Sequence, residues 1–367
     1  LNYHAAHDIG HALNDYSVVG CTSFVVKGKK TASEDLLVGR NFDFYVGDEF
    51  AKQKLLLFVE PDSGYSFCSY SWAGFMGVAS GLNTQGLSVT INASKSDIPT
   101  ISKMPISILA REILQYASTI DEAIAIATKR ETFVSETILV SSKNDGNAAL
   151  IEKSPTELGV YKMEADQLLC TNHYQSETFK ENPINIENIR LSDTKHRYNR
   201  LEELLAEQDS LEHFDVATIL RDQKGLNGTD LGLGNPKAIN QLIAHHSVVI
   251  APEKLTFYIS TTHYQLNTFL GYNLDSIFSG VQTYTDSIQA DSFLISKEYQ
   301  LYKKFKGYKK NITNALLFGK DLFLSEEDVL EMIASNPESY ITYELLANYF
   351  LLKEDTKQAL NYLNLSF

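Results

Sequence analysis

Gly20, Cys21, Thr22 and Ser23 follow one another inside VVGCTSFVV, residues 18–26. A thiol stands directly after the least hindered carbonyl a chain can offer, with hydroxyls and amides just beyond it. Attack of that thiol on the preceding carbonyl would move the acyl group from nitrogen to sulfur, and water would then release a new chain beginning at Cys21. In such a chain one residue carries both nucleophile and base. An α-amino group titrates near about 8 and a thiol near about 8.5, close enough for the amine to take the thiol proton around neutral pH. An electropositive setting would raise the thiolate fraction further.

A second group of chemical residues lies in GRNFDF, residues 39–44. On a strand Arg40 and Phe42 would share one face and Asn41 and Asp43 the other, unless a bulge intervenes. Asp43 suits an α-ammonium, and Arg40 suits a thiolate or a carboxylate. Each feature also has a plainer account. A lone cysteine in a strand is commonly a small core hydrophobe, and Arg40 with Asp43 could be an internal ion pair.

Taken in order, GCTSF, GRNFDF, GLNTQGLSVTINAS and LCTNHY resemble the N-terminal nucleophile hydrolases. That group includes cholylglycine hydrolase, penicillin V acylase and acyl-CoA:6-aminopenicillanic acid acyltransferase. The resemblance covers roughly residues 16 to 265, and the Gly-Cys-Thr junction and TNH tripeptide lean toward the acyltransferase branch. It implies an α+β fold of four layers, αββα, and autocatalytic cleavage between Gly20 and Cys21. It further implies hydrolysis or transfer of an acyl group held in a linear amide, through a thioester on Cys21, with no metal or organic cofactor. The substrate would be a small-molecule acyl amide or acyl thioester.

Matched residue by residue, Cys21 is the nucleophile, Arg40 the arginine beside it, and Asp43 the aspartate that orients the new amine. Asn172 matches the asparagine of the oxyanion hole, and Asn92 is a looser match to a second asparagine there. One departure stands out. The family carries an arginine late in the domain, whereas this sequence has none after Arg221. Asn240 or Gln241 takes that place, and neither carries a charge. Two alternatives follow: an unprocessed, catalytically impaired homologue serving as a binding protein, or a papain-type thiol protease that uses a histidine in place of chain cleavage.

The elements that must position these residues are legible as texture. Residues 1–16 have helical spacing and read, with the junction, as a propeptide-like lead-in over 1–20. TSFVVKG and LLVGRNFDF form a hairpin with the cysteine at its tip, and further strands run through GLSVTINAS. Helices are expected from Ile106 to Ala117 after Pro105 and from Asp121 onward, then strands in ETILVSS, AALIEKS, LGVYKM and LLCTNH. A helix over Asp193–Leu205 and a hairpin of SVVIA with LTFYIST complete a domain over 21–286. From 287 to 367 the chain reads as a helical extension. Its end resembles one tetratricopeptide-type hairpin with Leu346, Ala347, Tyr349, Ala359 and Leu363 on the packing faces, one unit being too few for a solenoid.

With 44% hydrophobic and 21% charged residues over 367 positions, the chain has ample material for a core. A net charge of −14 argues against nucleic acid as a partner, since both would be polyanions. No apolar run reaches the length of a membrane span. The sequence starts at Leu1, so an upstream segment is expected, and cytoplasmic and exported locations both remain open. A homo-oligomer is compatible with these features. Three cysteines, Cys21, Cys68 and Cys170, do not make a disulfide framework, and Cys68 and Cys170 read as core. His4, His7 and His11 recur at helical spacing, but no carboxylate or cysteine completes a ligand set, so no metal is expected.

Overall fold

The computed structural model describes residues 20–44, 54–96, 103–244, 246–281 and 283–366. The lead-in helix expected over 1–16, with His4, His7 and His11, lies outside them. In chain order the described strands are β1 (Thr22–Gly28), β2 (Glu34–Phe42), β3 (Lys54–Val59), β4 (Phe67–Trp72), β5 (Ser80–Asn83), β6 (Leu87–Ala93), β7 (Glu136–Ser142), β8 (Asn147–Lys153), β9 (Leu158–Lys162), β10 (Gln167–Cys170), β11 (His246–Ala251), β12 (Thr256–Ser260), β13 (Phe269–Asn273) and β14 (Asp286–Ile288). The helices are α1 (Ile106–Tyr116), α2 (Ile120–Lys129), α3 (Pro183–Leu191), α4 (Thr194–Ala206), α5 (His213–Leu220), α6 (Leu274–Phe278), α7 (Lys297–Phe318), α8 (Glu326–Ser335), α9 (Tyr340–Leu352) and α10 (Thr356–Leu365).

The strands form two seven-stranded antiparallel sheets. One runs β10-β1-β2-β11-β12-β13-β14 and the other β3-β4-β5-β6-β7-β8-β9. Three apolar clusters define the layers. Val25, Val38, Tyr70, Leu82, Leu139, Val248 and Phe257 fill the space between the sheets. Leu201, Leu205, Val216 and Leu220 of α4 and α5 cover the outer face of the first sheet through Phe24, Leu37 and Val249. Ile106, Leu109 and Ile113 of α1 and Ala123 of α2 cover the second through Val89, Ile138 and Ile151. This is the αββα layering that the sequence resemblance implies. Because both faces of β1 and β2 are covered, their buried stretches run continuously instead of alternating.

Gly39 on β2 permits the close seat of α5. A Cβ there would come within 2.7 Å of both the Phe24 ring and Val216 Cγ1. The helix α2 begins where Thr119 caps the Glu122 amide and Glu122 returns the bond. Helices α3 and α5, strand β13 and the edge strand β14 were not anticipated from sequence texture, and the first sheet runs to Ile288, two residues past the expected end of the domain.

The C-terminal helices pack on this body through one cluster. Leu242, Tyr264 and Leu266 meet Tyr302, Phe305, Met332, Leu346 and Tyr349. Asn336 clasps Leu233 from both sides, accepting its N–H at 2.8 Å and donating to its carbonyl at 2.9 Å. Helices α9 and α10 form the expected hairpin with Leu346, Ala347, Tyr349 and Ala359 buried. Leu363 departs from the expectation: it is 42% exposed, because no described element lies over that side of the final helix.

Candidate active site

The register of the first sheet gathers the chemical residues at one end. Ser23 on β1 lies opposite Arg40 on β2 and Cys170 on β10, and Val248 on β11 lies opposite Arg40. Cys21 therefore precedes β1 at the same end where β2 runs out toward Asp43 and β10 runs out toward Asn172. The cysteine is at the open end of the β1-β2 hairpin and not at its tip. The turn that joins the strands is at the opposite end, beyond Gly28.

Cys21 is fully buried beside Phe42, Phe44, Trp72 and Phe75. Its Sγ receives a long hydrogen bond of 3.9 Å from Arg40 Nη2. That guanidinium, itself fully buried, also donates to the Ile91 carbonyl, lies 3.2 Å from His246 Nε2, and sits 4.3 Å above the Phe42 ring. Arg40 and Phe42 thus share a face, as strand alternation predicts, while Asn41 points outward to the Leu220 and Ile239 carbonyls. Burial pushes the Cys21 thiol up to about 11; Arg40 opposes this and Asp43 and Glu136 add to it. Before any chain cleavage the thiol is held in its neutral form.

The peptide ahead of the thiol is held from both sides. The Gly20 N–H donates to the Asp43 carbonyl at 3.0 Å. The Gly20 carbonyl accepts from Arg197 Nη1 at 2.9 Å and from Gln241 Nε2 at 2.6 Å. Arg197 Nη1 also reaches the Cys21 carbonyl at 2.7 Å, and Nη2 donates to Asn172 Oδ1 at 2.8 Å. A Cβ on residue 20 would fall 2.2 Å from Gln241 Nε2, so the contact needs glycine there.

Asp43 is fully buried, and among the described residues neither carboxylate oxygen has a hydrogen-bond partner. Burial pushes its carboxyl up to about 7, with Arg197 and then Arg40 pulling it back. Among the described residues its charged neighbours are Arg197 and Arg40, and neither donates a hydrogen bond to it, so the carboxylate has room for a further N–H donor or a proton.

The two asparagines differ in what they have left to offer. Asn172 Nδ2 donates one N–H to the Ala93 carbonyl at 2.9 Å, leaving its second N–H. Asn92 Nδ2 donates to both the Cys170 carbonyl at 3.2 Å and the Thr171 carbonyl at 3.1 Å, and its Oδ1 accepts from Ser23 Oγ at 2.8 Å. Both of its N–H groups are engaged, and Asn92 stitches β6 to the end of β10. His173, the third member of TNH, is held by the Thr171 and Thr194 hydroxyls, and burial lowers its pKa to about 4. Among the described residues the Cys21 thiol has Arg40 and no imidazole as its hydrogen-bond partner.

Neither Asn240 nor Gln241 brings a charge, and the second guanidinium of the site has another source. Asn240 turns to the Tyr264 carbonyl and the Leu242 N–H, Gln241 reaches Gly20, and the charge comes from Arg197 on α4, much earlier in the chain. A signal for it was present. Thr194, Arg197, Leu201, Leu204 and Leu205 lie on the buried stripe of α4, and a cation within an apolar stripe needs a buried partner. Among the described residues no group of three or more His, Cys, Asp or Glu side chains could hold a metal ion, and no helix is long and apolar enough to cross a membrane.

A family model described as acyl-coenzyme A:6-aminopenicillanic acid acyl-transferase matches residues 28–231. The matched span contains Arg40, Asp43, Asn92, Asn172 and Arg197 and begins after Gly20 and Cys21. An uncharacterized protein of Archaeoglobus fulgidus is 30% identical over 115 residues, 31% of this chain and 19% of that relative. Among solved structures, an N-acylethanolamine-hydrolyzing acid amidase ortholog of Caenorhabditis elegans is similar at 18% identity and a TM-score of 0.48, over 63% of this chain and 93% of that one. A variant of conjugated bile acid hydrolase from Clostridium perfringens is similar at 13% identity and a TM-score of 0.46, over 74% and 97%.

Proposed function

The chain belongs to the acyl-coenzyme A:6-aminopenicillanic acid acyl-transferase family, and from that premise we propose that it is an autoprocessing amidase or acyltransferase with Cys21 as its N-terminal nucleophile. Residues 1–20 are the segment released, 21–286 the catalytic domain, and 287–367 a helical extension. The observation that carries this reading is the Asp43 carboxylate, buried beside Cys21 with neither oxygen hydrogen-bonded among the described residues. Cleavage after Gly20 would create an α-ammonium next to it, which supplies the missing donors.

In the cut chain the free amine takes the thiol proton, Asp43 holds the resulting ammonium, and Arg40 faces the thiolate. The thiolate attacks the acyl carbonyl of a linear amide. The remaining N–H of Asn172, oriented by Arg197, donates to the oxyanion. The ammonium returns its proton to the leaving amine, and water or an acceptor amine resolves the thioester. Asn92 acts as a positioning residue in this scheme, because its N–H groups are committed to the backbone that carries Asn172.

The hydrogen-bonding of Cys21 favours this reading over a papain-type thiolate–imidazole pair, and Arg197 removes the missing charge that favoured an inert binding protein. Intact mass of the purified full chain beside a Cys21→Ala variant tests it. Wild type is expected to give a product beginning at Cys21 that releases acid from a panel of acyl amides, and the variant to stay whole. A wild-type chain that remains intact and releases no acid overturns the reading.

A further inference from the structure

We propose that Gln241 is a catalytic residue of maturation: its side-chain amide and the Arg197 guanidinium form the oxyanion site for the chain's own Gly20 carbonyl. The assignment rests on the self-cleavage proposed above. It concerns a different oxygen from the one that Asn172 serves during turnover.

The geometry is already that of a donor pair on a reacting carbonyl. Nε2 of Gln241 and Nη1 of Arg197 converge on the same oxygen at 2.6 and 2.9 Å, so two donors already face the atom on which charge would develop. Both side chains are buried, at 4% and 3% exposure, so their dipole and charge act with little screening by water. The direction of Gln241 is set by its neighbours. Asn240 Oδ1 accepts the Leu242 N–H at 3.0 Å, and Leu242 takes a left-handed φ of 52°, a backbone state that a leucine holds only when its surroundings impose it. Gly20 completes the fit, since any Cβ at that position would displace the amide.

The step balances without a further reagent except water. The Cys21 sulfur bonds to the Gly20 carbonyl carbon as the thiol gives up its proton, and negative charge develops on the oxygen held by Gln241 and Arg197. Collapse breaks the carbon–nitrogen bond. The nitrogen of Cys21 takes up the proton and becomes an amine, leaving Gly20 on sulfur as a thioester. Water then yields the Gly20 carboxylate and regenerates the thiol. Asp43, unpartnered and close to the thiol, is placed to carry the proton between sulfur and nitrogen.

The test follows cleavage of full-length chain made by cell-free translation, read by intact mass over time, for wild type, Gln241→Leu and Gln241→Glu. Thermal unfolding of each substitution in the Cys21→Ala background reports folding separately. Wild type is expected to be cut, and Gln241→Leu to be cut about a hundredfold more slowly or worse, as for loss of one oxyanion donor. Gln241→Glu, nearly isosteric, should be slow at pH 8 and gain rate as the pH falls, because only a protonated carboxyl can donate. Wild type should show no such gain, and a purely structural role would not produce it. If Gln241→Leu fails to unfold cooperatively, the pH profile of Gln241→Glu decides. A wild type that is cut while Gln241→Glu matches its rate and profile overturns the role of Gln241 alone. A wild type that stays whole overturns the cleavage reading, and this inference with it.

Discussion

Arg197 and Asn172 meet through a 2.8 Å hydrogen bond from Nη2 to Oδ1, although one comes from α4 and the other from the bend after β10. The same guanidinium holds the Gly20 and Cys21 carbonyls. One side chain therefore ties the Gly20–Cys21 peptide, the proposed cleavage site, to the asparagine proposed to act in turnover.

Arg197→Ala should remove these bonds together and leave Asp43 facing one cation fewer. In a Cys21→Ala background, where no cleavage intervenes, we expect a loss of about 1–3 kcal/mol, as for leaving buried acceptors without their donor. Arg197→Lys should recover only part, since an ammonium lacks the planar fork that spans the Gly20, Cys21, Thr22 and Asn172 oxygens. Urea unfolding midpoints measure both, and an alanine variant as stable as its parent would refute the central place given to this residue.

Asp43 makes the uncut chain sensitive to pH. Its carboxyl titrates at about 7 when folded and near about 4 when unfolded, so between those values the folded state binds the extra proton. Stability of the Cys21→Ala chain should therefore fall as pH rises from about 4 to about 7, and level off above. Asp43→Asn should flatten that slope. Chemical denaturation across a pH series distinguishes the two, and equal slopes would sink the claim.

Gly20→Ala is a test of packing at the junction. The added methyl meets Gln241 Nε2 at 2.2 Å, which must swing away and give up its bond to the carbonyl. Cleavage measured by intact mass should slow by at least tenfold, while the folded state loses little because the displaced group is a side-chain end. Cleavage at the wild-type rate would contradict the fit described.

Asn92→Ala would leave the Cys170 and Thr171 carbonyls and the Ser23 hydroxyl without their partner. The expected cost is about 1–3 kcal/mol, read as a lower thermal midpoint, together with reduced turnover as the bend carrying Asn172 loosens. Asn172→Ala should instead lower turnover with a smaller change in stability. A reversal of these two patterns would mean that the roles of the asparagines are exchanged.

Much of the frame was legible before any coordinates. Apolar spacing over Ile106–Ala117 and Asp193–Leu205 marked helices that became α1 and α4, and the β1-β2 hairpin followed from the turn-rich KKTASED between two apolar runs. Short elements such as β13, β14 and α5 escaped, because a few residues carry too little periodicity to stand out from a loop. Cys21, Arg40 and Asp43 stand out because reactive or charged groups interrupt apolar runs, whereas Asn92 and Asn172 are legible only through the family resemblance of TINAS and TNH. Arg197 interrupts the buried stripe of its helix in the same way, but it lies well before the position of the family's late arginine, which Asn240 or Gln241 takes here.

The sequence by itself determined the residue types and their order: a thiol after a glycine, a strand bearing Arg40 and running out to Asp43, and two asparagines at strand ends. Side-chain chemistry and local periodicity are properties of neighbouring residues, so the sequence states them directly. Only the tertiary structure decided which groups share one space. Sheet register brings Ser23 opposite both Arg40 and Cys170, and helix packing delivers Arg197 to a carbonyl at a separation of 177 residues. Such meetings depend on long-range burial and pairing, which no local pattern records. The same packing buries the Asp43 oxygens away from any hydrogen-bond donor among the described residues, a consequence that composition does not reveal.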